Sequence, residues 1–124
     1  MEMATNIETK PEFEIMELSG CEKMVLGSIY EYQRKNDVAP DLVSLVELVN
    51  TKFDKNWKMQ TVCTFLTRME KKGLITIERR KRSSRYIPVL SREDYIRQAF
   101  EEMSKLYFND NMKQLRSFVR LNLQ

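Results

Sequence analysis

The spacing of apolar residues changes at Gly73, and this change limits what the middle of the chain can fold into. Before this glycine, apolar positions recur at the i, i+3, i+4, i+7 interval of an amphipathic helix over about 58–72. Beyond it, Leu74–Glu78 is rich in β-branched residues and indicates a strand. Arg85–Leu90 indicates a returning strand, in which Pro88 requires a sheet edge or a strand end. The pattern therefore predicts a helix followed directly by a β-hairpin.

Two more helices are predicted ahead of this one. Ser19–Glu22 has the pattern of a capping box and opens a helix over about 20–34. Asp41 is placed to cap a second helix, and the polar stretch 51–56 is expected to end it. Trp57, the only tryptophan, is expected to anchor the turn between the second and third helices in the core. The first half of the chain thus predicts three helices joined by short connections.

The C-terminal third, residues 91–124, predicts two further helices separated by Asn109–Asn111. Their apolar faces are wide, so they pack either on the first three helices or against a second copy of the chain. The second arrangement is the one we expect, which makes this segment a helical dimerisation segment. The residues expected in the dimer contact are Tyr95, Ala99, Phe100, Met103, Leu106, Tyr107, Leu115 and Phe118.

Positive charge is concentrated in one block of the sequence. The net charge is +3, but residues 55–92 hold 11 basic and 2 acidic residues, whereas residues 1–54 hold 5 basic and 11 acidic ones. A basic block that spans a helix and a hairpin indicates an anionic polymer or surface as partner. Residues 1–17 are acidic and lack a stable period, so they predict a flexible tail ahead of a domain over 18–90.

Several classes of protein are excluded by composition. The chain has no histidine, which removes the Ser-His-Asp and Cys-His triads and most zinc enzymes. Cys21 and Cys63 lie 42 positions apart, so they make neither a CxxC motif nor a four-ligand metal site, and they are expected to be small, mostly buried side chains. No catalysis, metal site or cofactor is expected. Reduced thiols, no signal peptide and no apolar run of ~20 residues predict a cytoplasmic protein without membrane insertion.

The order helix, helix, helix, strand, basic turn, strand is that of a winged helix-turn-helix. The expected fold class is mainly α with a small β-hairpin, plus the C-terminal helices. In this motif the third helix enters the major groove of DNA, and the hairpin, or wing, lies along the backbone or in the minor groove. Gln60, Thr61 and Thr64 are polar side chains near the start of that helix and are expected to contact bases.

Cations of the third helix and the hairpin are expected to contact phosphates, which position a protein without reading sequence. They are Lys58, Arg68, Lys71, Lys72, Arg79, Arg80, Lys81, Arg82 and Arg85. Lys71 and Lys72 could instead complement the C-terminal end of the helix, and Arg68 could pair with a nearby acid such as Glu70. The run Arg79–Arg82 is the strongest candidate, since no structural need for four consecutive cations is evident.

The segment from Trp57 to Gly73 resembles the recognition-helix segment of the BlaI/MecI/CopY family, the penicillinase-type repressors. The family pattern there is a Trp, then Thr-Val-x-Thr-x-Leu-x-Arg-Leu, then Lys-Lys-Gly, and this chain has Met69 at the last Leu. The Ser19–Glu22 opening is also similar, as are the strand around Tyr86-x-Pro88 and the segment Ser91-Arg92-Glu93-x-Tyr95. The resemblance covers about 19–120.

The resemblance implies a homodimeric repressor that binds double-stranded DNA at a palindromic operator near a promoter. In better-known members a membrane sensor protease triggers cleavage of the repressor at an Asn-Phe pair, which falls on Ser117–Phe118 here, where the Asn is absent. Copper-responsive members carry C-terminal Cys-x-Cys motifs, which this chain lacks, so no metal control is expected. Met59 replaces a Pro that usually opens the recognition helix, and Lys81–Ser84 replaces a Gly-Arg wing tip.

An alternative from a different class also accounts for the basic face. Winged helices also serve as protein-interaction modules, and the basic face would then bind an acidic protein partner. Salt dependence separates the two hypotheses, since binding through several phosphates weakens steeply as salt rises.

Overall fold

The computed structural model of the protein describes residues 18–123, so the predicted N-terminal tail and Gln124 lie outside the described residues. The chain divides into two compact units, whose described parts are residues 18–91 and 92–123. The first unit contains α1 (Gly20–Asn36), α2 (Leu42–Phe53), α3 (Met59–Lys71), β1 (Ile75–Glu78) and β2 (Arg85–Pro88). The second contains α4 (Arg92–Tyr107) and α5 (Met112–Asn122). The mainly helical architecture with its antiparallel hairpin confirms the predicted winged-helix fold class.

The predicted capping box opens α1. Ser19 Oγ accepts a hydrogen bond from the Glu22 N–H at 3.1 Å, and Glu22 Oε1 accepts one from the Ser19 N–H at 2.9 Å. The helix continues past its predicted end at about residue 34 and reaches Asn36. It ends there because Asp37 adopts a left-handed conformation, with φ of 64°.

α2 is capped by Asp41, as predicted, because its carboxylate accepts a backbone N–H of the first turn at 2.8 Å. The polar stretch 51–56 was predicted to end this helix, but the helix continues through residues 51–53 and ends at Phe53, so that prediction was wrong for these three residues. The polar residues there are exposed on the helix surface, where they do not oppose helix formation. Asp54 ends α2 instead, with a left-handed φ of 56°.

Gly73 ends α3, as its position in the sequence predicts. Its φ of 81° is a conformation that a residue with a Cβ adopts only with strain. The Leu74 N–H donates to Met69 O and the Gly73 N–H donates to Glu70 O, both at 3.0 Å, which is a Schellman motif. This glycine therefore turns the chain from α3 directly into the hairpin.

β1 and β2 pair antiparallel with Glu78 opposite Arg85, so the tip of the wing is residues 79–84. β2 ends at Pro88, which has no N–H to donate to a ladder. The Tyr86 N–H donates to a backbone C=O just ahead of α2 at 3.1 Å. This bond ties the returning strand to the start of α2 and fixes the wing against the helices.

The core of the first unit is formed by the apolar faces of the helices together with β1, where α1 packs on α2 and α3. Its side chains that are no more than 1% exposed include Val25, Ile29, Leu45, Val49, Val62, Leu66, Met69 and Ile75. Because α3 contributes one face to this core, its other face remains at the surface.

In the second unit, α4 and α5 are separated by the predicted interruption. Asn109 and Asp110 both have φ of 55°, and Asn111 Oδ1 accepts the Lys113 N–H at 2.9 Å to cap α5. Leu115 is 5% exposed and belongs to the core of this unit. Within residues 18–123, none of the helices has the length and hydropathy needed to cross a bilayer.

Candidate nucleic-acid interface

Beyond Met59, its first residue, the exposed face of α3 is polar. Gln60, Thr64, Thr67 and Arg68 are exposed, and Thr61 is half-buried. The opposite face holds the buried apolar residues of the core, as the 3.6-residue period requires. The three side chains that were predicted to contact bases therefore lie within one turn of each other near the start of α3.

The Thr64 hydroxyl is already engaged within its own helix. Thr64 Oγ1 donates to Gln60 O at 3.0 Å. Its hydrogen is used by this bond, so the oxygen lone pairs and the methyl group are what the side chain offers to a ligand. Such a threonine accepts hydrogen bonds from an adenine or cytosine amino group and makes apolar contact with a thymine methyl.

Trp57 lies at the turn before α3, as predicted, but its side chain is half-buried and is not part of the core. Asn50 Oδ1 accepts the Trp57 N–H at 2.9 Å, and Asn50 Nδ2 donates to Trp57 O at 3.0 Å. The indole, which is half-buried, meets the Phe65 ring edge-on with the centroids 5.2 Å apart. The N-cap residue Lys58 makes no side-chain cap, so the first amides of α3 are not covered by that side chain.

The predicted cations fall into two groups. Four of them bond to other groups of the chain: Lys72 to Glu22 at 2.8 Å, Arg79 to Glu70 at 3.2 Å, Arg80 to Glu78 at 3.1 Å, and Arg85 to the backbone O of Ala39 at 2.8 Å. The expectation that the run Arg79–Arg82 has no structural partner was therefore wrong for its first two members. The sequence carried a signal for this pairing, because Glu70 and Glu78 are the two acids of the basic block.

The other five cations are exposed and, among residues 18–123, none of them forms an ion pair. They are Lys58, Arg68, Lys71, Lys81 and Arg82. Three belong to α3 or its cap and two to the wing tip. A cation without a carboxylate partner keeps its charge available for an anionic ligand, so the two elements of the predicted interface each offer free positive charge.

The ion pairs shift the pKa values of their partners. Burial by itself raises the pKa of Glu22, but hydrogen bonds from Lys72 and Ser19 outweigh it and hold that pKa below the ordinary value. The hydrogen bond from Arg79 likewise lowers the pKa of Glu70, and Glu70 in turn raises the pKa of Arg79. These carboxylates are therefore charged at neutral pH.

A groove of about 290 Å³ lies between the starts of α2 and α3 and the wing tip. Its lining includes Val43 from α2, Met59 from α3, and Arg82, Ser83 and Ser84 from the wing. Met59 and Val43 were not among the predicted site residues. The replacement of a family Pro by Met59 was visible in the sequence, but its position beside the wing depends on three elements meeting.

The second unit exposes apolar side chains, as the dimerisation hypothesis requires. Five of the eight predicted contact residues are more than 40% exposed: Phe100, Met103, Leu106, Tyr107 and Phe118. Tyr95 and Ala99 are half-buried. Leu115 is buried within its own chain, so it is not itself exposed to a partner.

The two cysteines are free and half-buried, which is less burial than was expected of them. Among the described residues, no group of three or more His, Cys, Asp or Glu side chains is arranged to hold a metal ion.

Three helices, the third with a polar outer face, and an adjoining basic hairpin define a DNA-binding protein of the winged helix-turn-helix class. The family model of the penicillinase repressors matches residues 21–122. The chain therefore belongs to the penicillinase repressor family, which confirms the resemblance stated above, and it is a transcriptional repressor of the winged-helix type. A search of curated proteins finds no match.

Proposed function

We propose that the protein binds a palindromic operator as a homodimer and represses transcription by covering the promoter. Each protomer places α3 in the major groove, and two such helices lie roughly one helical turn, about 34 Å, apart along the DNA. The observation that carries the proposal is the polar outer face of α3, with unpaired cations on α3 and on the wing beside it.

The pairing of the cations divides the predicted site into two roles. The five unpaired cations contact phosphates, and the four bonded ones, Lys72, Arg79, Arg80 and Arg85, hold α1, α2, α3 and the hairpin in place. Gln60, Thr61 and Thr64 read the bases from the start of α3. This division reduces the number of expected phosphate contacts, and it can be measured through salt dependence.

Dimerisation is assigned to the exposed apolar side chains of α4 and α5. Phe100, Met103, Leu106 and Tyr107 would bury their surface against the same residues of a second copy, in a two-fold contact that matches a palindrome. Changing Leu106 to Asp places a charge in this face without touching the first unit, so we expect a monomer by sedimentation and weaker operator binding. A Leu106→Asp variant that remains dimeric refutes the assignment.

The experiment that tests the proposed interface is a salt titration of DNA binding with two matched arginine variants. Each phosphate contact contributes about 0.9 to the slope of log affinity against log salt. Arg82→Ala removes one unpaired wing cation from each protomer, so the slope for the dimer should fall by about two units. Arg79→Ala removes an arginine that is held by Glu70, so the slope should change little. Equal losses in the two variants would show that ion pairing in the free protein does not decide which arginine contacts DNA.

A further inference from the structure

The groove beside the wing contains an apolar patch that phosphate binding does not use. Val43 is 59% exposed and Met59 is 46% exposed, and both line the groove together with Arg82. Large apolar side chains on a cationic face lose the favourable burial that most such residues gain on folding. Because they share one groove with Arg82, a ligand that carries an apolar group next to negative charge would cover both side chains and pair with the arginine.

The position of Met59 on α3 indicates which chemical group of a ligand it would contact. Met59 is the first residue of α3, and in helix-turn-helix proteins the N-terminal residues of the recognition helix contact base edges. Thymine is the base that presents a methyl group in the major groove. A methionine side chain is flexible and adapts to such a small apolar target.

We propose that Met59 contacts the 5-methyl group of a thymine, beside Val43, and so selects thymine at one position of each half-site. The inference rests on the proposed function, because it requires α3 in the major groove. Charge decides between DNA and an apolar protein partner as the occupant. The lining of the groove holds two arginines, Arg80 and Arg82, against one carboxylate, Asp41, so it is net positive. A DNA strand supplies a phosphate to this groove, whereas an apolar protein surface supplies no anion.

Deoxyuridine tests this directly, because it differs from thymidine only by that methyl group. The full chain first enriches a duplex from a random DNA pool, and each thymine of the enriched duplex is then replaced singly by deoxyuridine. Burying one methylene contributes ~0.8 kcal/mol, so losing one buried methyl group should weaken binding about fourfold. We expect one thymine per half-site to show this loss with the unaltered protein.

Two variants show whether Met59 makes the contact. Met59→Ala should bind the thymine and deoxyuridine duplexes equally well, whereas Met59→Leu, which keeps an apolar side chain, should retain the preference. Val38→Ala serves as a control, because Val38 is 53% exposed and lies outside this groove. It should keep the full fourfold ratio.

The outcomes separate this inference from the proposed function. If the protein enriches no sequence, sequence-specific binding is refuted, and the thymine contact with it. If a sequence is enriched but Met59→Ala keeps the thymine preference, only the thymine contact is refuted. If Met59→Ala weakens all duplexes alike, the side chain contacts the sugar-phosphate backbone and the inference is again wrong.

Discussion

Removing the Lys72 ammonium should destabilise the first unit far more than removing the ammonium of Lys71. The side chain of Glu22 is only 2% exposed, and Lys72 Nζ contacts it at 2.8 Å across a separation of 50 positions in the chain. In Lys72→Met the stem of the side chain is retained, but the buried carboxylate loses its counter-charge. The pair joins the start of α1 to the end of α3, so losing it weakens the packing of α3 against α1.

The magnitude follows from the burial of the two partners. Breaking a fully buried ion pair by removing one partner costs about 3–5 kcal/mol. Lys72 is 27% exposed, and Glu22 keeps its hydrogen bond from the Ser19 N–H, so a smaller loss is expected. We expect about 2 kcal/mol, which lowers the urea midpoint by roughly 1 M.

The assay is urea unfolding of the full chain followed by circular dichroism at neutral pH. Lys71→Met is the matched control, because Lys71 is exposed, and a surface change of this kind stays within about 0.5 kcal/mol. Adding Glu22→Gln to Lys72→Met should restore part of the lost stability, since no buried charge then remains. Equal losses of stability in Lys71→Met and Lys72→Met would refute this reasoning. So would a double variant that is less stable than Lys72→Met.

The effect of Lys72→Met should also depend on pH. In the native protein the pKa of Glu22 lies below its unfolded value of 4.5, so the pair stabilises the fold above that pH, and this contribution is lost as pH falls through the lowered pKa. In the variant, Lys72 no longer offsets the effect of burial, so the pKa of Glu22 should rise. The carboxyl then takes up a proton in mild acid, so the stability gap between the two proteins should narrow towards pH 3. A gap that is constant with pH would contradict this account.

Three further changes test other parts of the structure. Tyr30→Phe removes the hydroxyl that donates to Leu90 O at 2.9 Å, and it should cost about 1 kcal/mol in urea unfolding. Gly73→Ala places a Cβ at a φ of 81°, and it should lower the free energy of unfolding by about 1 kcal/mol, whereas an unchanged melting curve would argue against the Schellman turn. Thr64→Ala should reduce the ratio of specific to non-specific DNA affinity by at least about fivefold, and an unchanged ratio would exclude this residue from base contact.

Local patterns in the sequence were enough to predict most of the first unit. The apolar period of α3, the Ser19 capping box and the Asp41 cap depend on residues within one or two turns of each other, and each lies where it was predicted. The change of period at Gly73 predicted the hairpin for the same reason. The end of α2 was missed because a left-handed Asp54, and not the polarity of the preceding residues, decides it.

The candidate site was harder to predict because its charges pair across long separations. In the sequence, Lys72 looks like any cation at a helix end, and its partner Glu22 looks like a capping residue that needs no further contact. Arg79 and Glu70 become neighbours only after the chain has turned at Gly73. The groove at Met59 lies where α2, α3 and the wing tip meet, and no periodic pattern in the sequence predicts such a meeting.

The central claim is that α3 reads a DNA sequence, and one binding measurement tests it most directly. The affinity of the full chain is measured for the duplex that it enriches from a random pool and for a scrambled duplex of equal composition, at ~50 and ~200 mM salt. We expect a palindromic duplex with half-sites about 10 base pairs apart, bound at least ~10³ times more tightly than the scrambled one. We also expect the affinity for both duplexes to weaken steeply with salt. Equal affinity for the two duplexes would contradict sequence reading by α3, and no measurable DNA binding would favour an acidic protein as the partner of the basic face.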